Sequence, residues 1–99
     1  MEEFISNVEK WATDRGIYQH STSTAQLLKA ISEIGELADA HAKKNRYEVA
    51  DAIGDVIVCL VNYCAMEQLD LEECCDSAWD QIKDRKGKMI EGGVFVKEG

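Results

Sequence analysis

The chain has 99 residues, a formal net charge of −8 at pH 7 and no proline. A chain of this length makes one domain, residues 1–99, with a core thin enough that self-association is expected. Its acidic balance argues against a nucleic-acid backbone as the partner, because neutralising phosphates takes clustered Lys and Arg.

A first helix is predicted over residues 2–15, because apolar side chains recur there at helical spacing and Gly16 follows as a stop signal. Residues 18–24 are polar and rich in hydroxyl groups, which predicts a connection. Ser23 or Thr24 is a suitable N-cap for a second helix that begins near Ala25.

This second helix is predicted to be amphipathic and to end near residue 42. Its apolar side chains share one helical face. The polar side chains on another face are Gln26, Lys29, Glu33 and Glu36. A polar break at residues 43–46 follows, and it is short enough to require an antiparallel helical hairpin.

The third helix is predicted to start at a capping pair, Asn45 and Glu48, and to run to about residue 68. Between residues 52 and 66 only Gly54, Asp55 and Asn62 interrupt an apolar run. A helix that is apolar nearly all round is expected to be buried nearly all round, which places Asp55 inside protein. A buried carboxylate is very costly unless it is neutralised, paired or bound to a metal.

An antiparallel fold about residue 45 brings Glu36 level with Asp55, and Asp39 level with Asp51. Two acidic faces then meet, and carboxylates about 6 Å apart repel by roughly 3 kcal/mol per pair at an effective dielectric near 20. Cations must offset this repulsion. Mg²⁺ prefers carboxylate oxygens and usually recruits a phosphate-bearing substrate. The spacing therefore predicts metal-dependent phosphate chemistry.

A fourth helix is predicted after Asp70, which with Glu73 repeats the capping spacing. A basic cluster follows it and contains Lys83, Arg85, Lys86 and Lys88. Such a cluster is usually a solvated helix end that complements the helix dipole, yet a phosphate-bearing substrate also needs cations beyond Mg²⁺. The prediction for the whole chain is an all-α, four-helix bundle with a short extended tail at about residues 87–99, in which residues 92–97 are suited to extended chain or a small strand.

No charged-apolar-small signal segment is recognisable, and the apolar run 52–66 is too short and too interrupted to span a bilayer. A soluble cytoplasmic protein without a membrane partner is predicted. Its four cysteines match no common zinc spacing and are expected to be reduced. His20 and His41 have no partner at metal-ligand spacing, which argues against a di-iron bundle.

Two acidic motifs carry a resemblance to a known family. Glu33-Ile-Gly-Glu36 reads E-x-x-E on one helix, and Asp51 to Asp55 is an acidic segment on the next. The pattern resembles the MazG-like all-α nucleoside triphosphate pyrophosphohydrolases, especially small phage versions, whose second motif is E-x-x-D. Ala52 stands at the position of the third acid, and Asp51 is the candidate to replace it. The likeness extends through residues 11–17, 26–29 and 82–88.

The resemblance implies a Mg²⁺-dependent hydrolase, with Mn²⁺ as the alternative ion, that cuts a nucleoside triphosphate into monophosphate and pyrophosphate. It also implies a homodimer or homotetramer. The implied metal ligands are Glu33, Glu36, Asp51 and Asp55, and Glu33 or Glu36 would also orient and deprotonate the attacking water. The implied substrate-binding residues are Gln26, Lys29, Asn62, Lys83, Arg85 and Trp11.

The residues themselves leave other interpretations open for Trp11 and Lys29. Trp11 is also consistent with a core or interface position, and Lys29 with a helical pair to Glu33 four residues later.

An alternative is also open for the whole protein. It is a non-catalytic helical protein that binds a nucleotide or a partner for assembly or regulation. Ala52 favours it, because loss of one ligand is how a catalytic site commonly decays.

Overall fold

The structure is a computed structural model that describes residues 1–98. These residues form five helices followed by two short strands. The helices are α1 (Glu2–Asp14), α2 (Ile17–His20), α3 (Ser23–Ala42), α4 (Arg46–Met66) and α5 (Leu71–Ile82). The strands are β1 (Gly87–Ile90) and β2 (Val94–Lys97). The mostly helical prediction is confirmed.

The two long helices, α3 and α4, form the largest helix–helix contact and run antiparallel, as the short break predicts. Lys44 adopts a left-handed conformation with φ of 58° after the end of α3. Asn45 Oδ1 then accepts a hydrogen bond of 3.1 Å from the backbone N–H of Glu48. This confirms the predicted cap, which satisfies one of the free N–H groups at the start of α4.

The segment between the first two predicted helices differs from the expectation of a plain connection. Gly16 ends α1 with φ of 73°, as predicted, but the chain then makes one helical turn, α2. The cap of the next helix is Thr22, not Ser23 or Thr24, because Thr22 Oγ1 accepts from the N–H of Ala25 at 3.0 Å. The bundle therefore has five helices where four were predicted.

Burial around α4 is less complete than its composition predicts. Its buried side chains lie mainly on the sides that face α1 and α3, while Asp55 is only half-buried. The prediction that Asp55 lies fully inside the protein is therefore wrong for one chain. The reason is that α1, α3 and α5 contact α4 on part of its circumference, and no other described helix or strand packs extensively on the rest.

The orientation of α3 also departs from the usual amphipathic arrangement. Its buried residues are Gln26, Ala30 and Ala40, so it packs against α4 through small side chains. Its large apolar side chains are 43% to 61% exposed on the opposite side. These residues, Leu27, Leu28, Ile31 and Ile34, are called the outer face of α3 below. An apolar row of this kind is typical of a surface that a second molecule covers.

By length and composition alone, α4 is apolar enough to cross a membrane, with a mean hydropathy of 1.6. The sequence expectation considered only the run 52–66, whereas the helix has 21 residues. Central helices of soluble bundles meet the same criterion. Because α4 packs against α1, α3 and α5, we interpret it as the central helix of the bundle.

The C-terminal segment, predicted as a short extended tail or small strand, forms a β-hairpin. Strands β1 and β2 pair antiparallel, with Met89 opposite Phe95 and Ile90 opposite Val94. Gly92 and Gly93, with φ of 88° and 76°, make the turn between them. Every residue of both strands is exposed, so no helix of the same chain covers either face of the hairpin.

Candidate metal and nucleotide site

An acidic cleft with a volume of about 430 Å³ lies between α3 and α4. Its carboxylates come from both helices, which is the meeting of acidic faces that the antiparallel register predicts. The lining side chains are Glu36, Asp39, Ala40 and Lys43 from α3, and Glu48, Asp51, Ala52 and Asp55 from α4. Five carboxylates thus surround a space that contains one cationic side chain.

Small residues at the contact between α3 and α4 create this geometry. Ala40 and Ala52 are 3% and 5% exposed and line the cleft wall. Because these side chains are short, the helices approach closely, and the longer carboxylates on either side are directed towards the space between them. The cleft is therefore a consequence of the alanine positions as much as of the acidic ones.

Glu33 lies beside the cleft and is half-buried. Its Oε2 atom is buried and has no hydrogen-bond partner. The carboxylate of Glu36, with which Glu33 can share a proton, raises the pKa of Glu33; desolvation and the charge of Asp55 add to this, while Lys29 opposes it. Glu33, Glu36 and Asp55 therefore lie close enough to interact. An orphaned carboxylate oxygen in such surroundings is chemically suited to a divalent cation.

The carboxylates do not converge on a single point. Within residues 1–98, no three His, Cys, Asp or Glu side chains lie near enough to one another to hold one ion. Like charges that lack a cation between them are expected to separate along the cleft. The oxygen-only donor set fits Mg²⁺ or Mn²⁺, and the ligand roles of Glu33, Glu36, Asp51 and Asp55 stay a prediction.

Two predicted substrate-binding residues have partners inside the chain. Gln26 is buried, and its Nε2 donates to Ser21 Oγ at 3.1 Å. Asn62 is 2% exposed, and its Oδ1 accepts a hydrogen bond of 2.8 Å from the Tyr18 hydroxyl. The Asn62 amide holds α2 against α4, and the Gln26 amide joins the start of α3 to the end of α2. The structure gives each of them a structural role in addition to the predicted role in substrate binding.

Trp11 lies at a second cavity, between α1 and α4, with a volume of about 350 Å³. Its lining residues are Phe4, Asn7, Val8, Trp11, Asp55 and Val58. The Arg15 guanidinium stacks 4.6 Å from the centre of the Trp11 ring, and Trp11 remains 43% exposed. Asp55 lines both this cavity and the acidic cleft, so the two spaces share one side chain as a wall.

The predicted cations at the end of α5 lie elsewhere in the single chain. Lys83 pairs with Asp80 at 3.1 Å. Arg85 lines a separate depression with Lys86 and Lys97. Neither Lys83 nor Arg85 is among the residues that line the acidic cleft. The structure therefore brings the predicted acids and Lys29 together but leaves these two cations apart.

The sequence signature of the MazG nucleotide pyrophosphohydrolase domain matches residues 19–90 of this chain. The chain belongs to the MazG family. The matched range contains α3, α4 and α5, and hence every residue of the acidic cleft. Trp11 and the rest of α1 lie outside it.

Two further comparisons agree with membership of the MazG family. An uncharacterized 18.2 kDa protein in the rep-hol intergenic region of Haemophilus phage HP1 (strain HP1c1) is 34% identical over 70 residues, which is 71% of this chain and 43% of that protein. The chain thus spans less than half the length of this relative. A phage relative also agrees with the resemblance to small phage MazG-like proteins.

The fold is similar to that of the cyanophage S-2L MazG-like pyrophosphohydrolase bound to dGDP and three catalytic Mn²⁺ ions per active site. The TM-score is 0.74 at 15% sequence identity, and the match covers 99% of this chain and 92% of that one. At this identity the likeness shows a common fold. It includes both the helical bundle and the C-terminal hairpin, since nearly the whole chain is matched.

Sequence reasoning missed Lys43 and Asn7. Lys43 lies seven residues after Glu36, so the i, i+3, i+4, i+7 rule that connected the acids would have included it. Asn7 could not be found in this way, because its place beside Trp11 depends on how α1 packs against α4. Both residues add polar groups to spaces that the MazG-family acids help to line.

Proposed function

We propose that this MazG-family chain hydrolyses nucleoside triphosphates, or their deoxy forms, to the monophosphate and pyrophosphate with Mg²⁺, Mn²⁺ being the alternative ion. The observation that carries the proposal is the orphaned Oε2 of Glu33 beside the acidic cleft. A site with so many carboxylates and so few cations is suited to metal-bound polyphosphate. The whole-chain unit, residues 1–99, acts as one MazG-like domain in this proposal.

The acids have two roles in this proposal: metal ligand and proton acceptor. Glu33 or Glu36 has both roles. Glu33, Glu36, Asp51 and Asp55 hold the metal, which when bound neutralises phosphate oxygens and the charge that develops on the leaving pyrophosphate. Glu33 or Glu36 orients a water molecule and accepts its proton as the α–β phosphoanhydride bond breaks.

The two cavities on either side of Asp55 match the two ends of a nucleotide. The phosphates lie in the acidic cleft with the metal, where Lys43 and the nearby Lys29 supply positive charge. The base lies in the cavity between α1 and α4, where Trp11 offers an aromatic surface and Asn7 an amide. Lys83 and Arg85 lie away from the cleft and have no role in this arrangement within one chain.

Self-association through the outer face of α3 completes the proposal. Four large apolar side chains in one exposed row are unfavourable in water, and a second copy of the same helix covers them in a two-fold dimer. The S-2L MazG-like protein binds dGDP and Mn²⁺, which supports a nucleotide substrate and a divalent ion for this chain. We place the protein in the cytoplasm, where nucleotides and Mg²⁺ are available.

The experiment is pyrophosphate release from a panel of ribo- and deoxynucleoside triphosphates, with Mg²⁺, with Mn²⁺ and with EDTA. Glu36→Gln removes one cleft charge and should lose activity by orders of magnitude. Glu3→Gln, on the exposed side of α1, is the matched control and should retain it. Folded protein that releases no pyrophosphate from any triphosphate contradicts the proposal.

A second function is favoured by Ala52, which stands in the cleft wall where the MazG pattern has an acid. In this alternative the chain binds metal and nucleotide without turnover and acts in assembly or regulation. Thermal denaturation separates the two, because bound ligand stabilises by about 2.7 kcal/mol at a hundredfold excess over Kd. Stabilisation by Mg²⁺ plus nucleotide without product formation supports binding alone.

A further inference from the structure

A third groove of the described chain shares no lining residue with the acidic cleft or with the cavity at Trp11. It has a volume of about 630 Å³ and lies between α1, the end of α4 and the start of α5. Its acidic residues are Glu2, Glu9, Asp70, Glu72 and Glu73. Within residues 1–98, no Lys, Arg or His lines it. The proposed nucleotide hydrolysis does not use this groove.

Apolar side chains lie among the acids of this groove. Ile5 from α1 and Leu71 from α5 are partly exposed, and Val61 from α4 is buried. Acidic side chains form a poor site for a phosphate or a nucleotide, because the negative charges repel. They suit a ligand that is itself apolar on one face and positively charged at its edges.

The C-terminal β-hairpin has this character. Its apolar side chains are 41% to 63% exposed, on both faces. Five of the eleven Lys and Arg residues of the chain lie in the hairpin or just before it. These are Lys83, Arg85, Lys86, Lys88 and Lys97. An isolated two-stranded hairpin is at best marginally stable in water, so a hairpin with two uncovered apolar faces needs a surface to pack on.

The pairing register assigns the side chains of the hairpin to two different faces. Cross-strand partners lie on the same side, so Ile90, Val94, Val96 and Lys88 share one face. This set is called the aliphatic face. On the other face the Phe95 ring lies over Gly87, where an added Cβ would overlap it. The aliphatic face has three apolar side chains and one lysine, which matches a groove with apolar and acidic residues.

The hairpin of the same chain is held away from the groove. Glu72 and Glu73 belong to the first turn of α5, whereas the hairpin follows its last turn. A helix of 12 residues is about 18 Å long. The base of the hairpin also lies against that last turn, since Lys86 and Lys97 share a depression with Gln81.

We propose that the hairpin of a second copy of this chain docks in the groove. Its aliphatic face packs on the apolar side chains of the groove, and Lys88 lies against the acidic ones. The charges are complementary, because residues 83–98 have five cations and three acids, while the groove has five acids and the chain as a whole is strongly acidic. Two such contacts related by a two-fold axis exchange hairpins between two copies.

Disulfide trapping tests the contact directly and does not depend on catalysis. In a Cys74→Ser/Cys75→Ser background, which removes the exposed thiols, we combine Val94→Cys on the aliphatic face with Glu73→Cys or Glu9→Cys on the groove walls. Mild oxidation by diamide should give a disulfide-linked dimer with at least one of the two pairs, because a disulfide requires Cα atoms within about 7 Å.

The matched control is Met89→Cys, on the opposite face of the hairpin, with the same groove thiols. It should give at least about tenfold less linked dimer. A second measurement adds the double substitution Ile90→Thr/Val94→Thr, which keeps β-branched residues but removes apolar contact. It should reduce the amount of linked dimer that Val96→Cys forms with the groove thiols. The substitution Met89→Thr should leave that amount unchanged. Raising the salt concentration should slow trapping, because the facing charges are screened.

Three results would overturn the proposal. The first is an intramolecular disulfide in a monomer, which would place the hairpin in its own groove. The second is the absence of a linked species with both wall positions in folded protein. The third is equal trapping from Val94→Cys and Met89→Cys, which would show random collision. None of these depends on whether the protein hydrolyses nucleotides, so the two proposals fail separately.

Discussion

The Tyr18 hydroxyl donates a hydrogen bond of 2.8 Å to Oδ1 of Asn62, 44 residues further along the chain. This bond joins the single turn of α2 to the most buried polar side chain of α4. Tyr18→Phe leaves Oδ1 of Asn62 buried without its donor and should destabilise the fold by about 1 to 3 kcal/mol. Urea denaturation of parent and variant measures this. A change within experimental error would show that water replaces the hydroxyl.

Asp55→Asn tests the metal site. Within residues 1–98, Asp55 makes no ion pair, so the amide should leave no cation unpartnered. Stability in EDTA should stay equal or rise by up to about 1 kcal/mol, since one of several crowded charges is removed. The stabilisation by Mg²⁺ should largely disappear, and activity should fall by orders of magnitude. Chemical denaturation at one protein concentration, with and without Mg²⁺, measures both effects.

An opposite outcome for Asp55→Asn would remove Asp55 from the site. Loss of about 3 to 5 kcal/mol in EDTA, with the Mg²⁺ response intact, would mean that Asp55 is a structural acid whose charge a cation such as Lys29 stabilises. Asp14→Asn is a useful comparison. It breaks the exposed Lys10–Asp14 pair, 2.8 Å long, and should cost less than about 1 kcal/mol.

Ala52→Glu restores the acid that the MazG pattern has at this position. Because Ala52 is nearly buried in the cleft wall, the longer charged side chain should destabilise the metal-free protein by about 1 to 3 kcal/mol. Mg²⁺ should stabilise this variant more than the parent, and turnover should rise. Ala52→Gln has the same size without the charge and is the control. An identical Mg²⁺ response of the Glu and Gln variants would contradict a ligand role here.

The pH dependence of stability in EDTA should show the raised pKa of Glu33. A carboxyl with a higher pKa in the native state binds its proton more tightly there than in the unfolded chain. Its contribution is therefore favourable at low pH and is lost as the pH rises above the ordinary value of 4.5 through the raised one. Urea midpoints between about pH 4 and about pH 7 measure the trend.

Glu33→Gln isolates this effect from the other carboxyls. The stability of the parent relative to the variant should decrease across the window, since Gln cannot ionise. A parent that gains stability relative to the variant with rising pH would mean that Glu33 has a stabilising partner for its charge. Lys29, which already opposes the raised pKa, is the candidate for that partner.

The sequence by itself determined the features that depend on near neighbours. The caps at Asn45 and Asp70 each accept a backbone N–H three residues later, so a single turn of chain contains the whole interaction. The same holds for the acidic cleft, because helical periodicity and a short break fix which carboxylates of α3 and α4 share a space. The two acidic motifs and the stretches 11–17, 26–29 and 82–88, taken together and in this order, indicated the family.

Only the tertiary structure decided which surfaces are covered. Composition shows that Leu28 and Ile31 favour burial, but the alanine side of α3 packs on α4 and leaves them exposed. The same is true of Asp55, whose burial depends on what surrounds α4, and of Asn62, whose partner is 44 residues away. Hydrophobicity is non-directional, so a sequence indicates that a face favours cover without indicating whether another helix or a second molecule provides it.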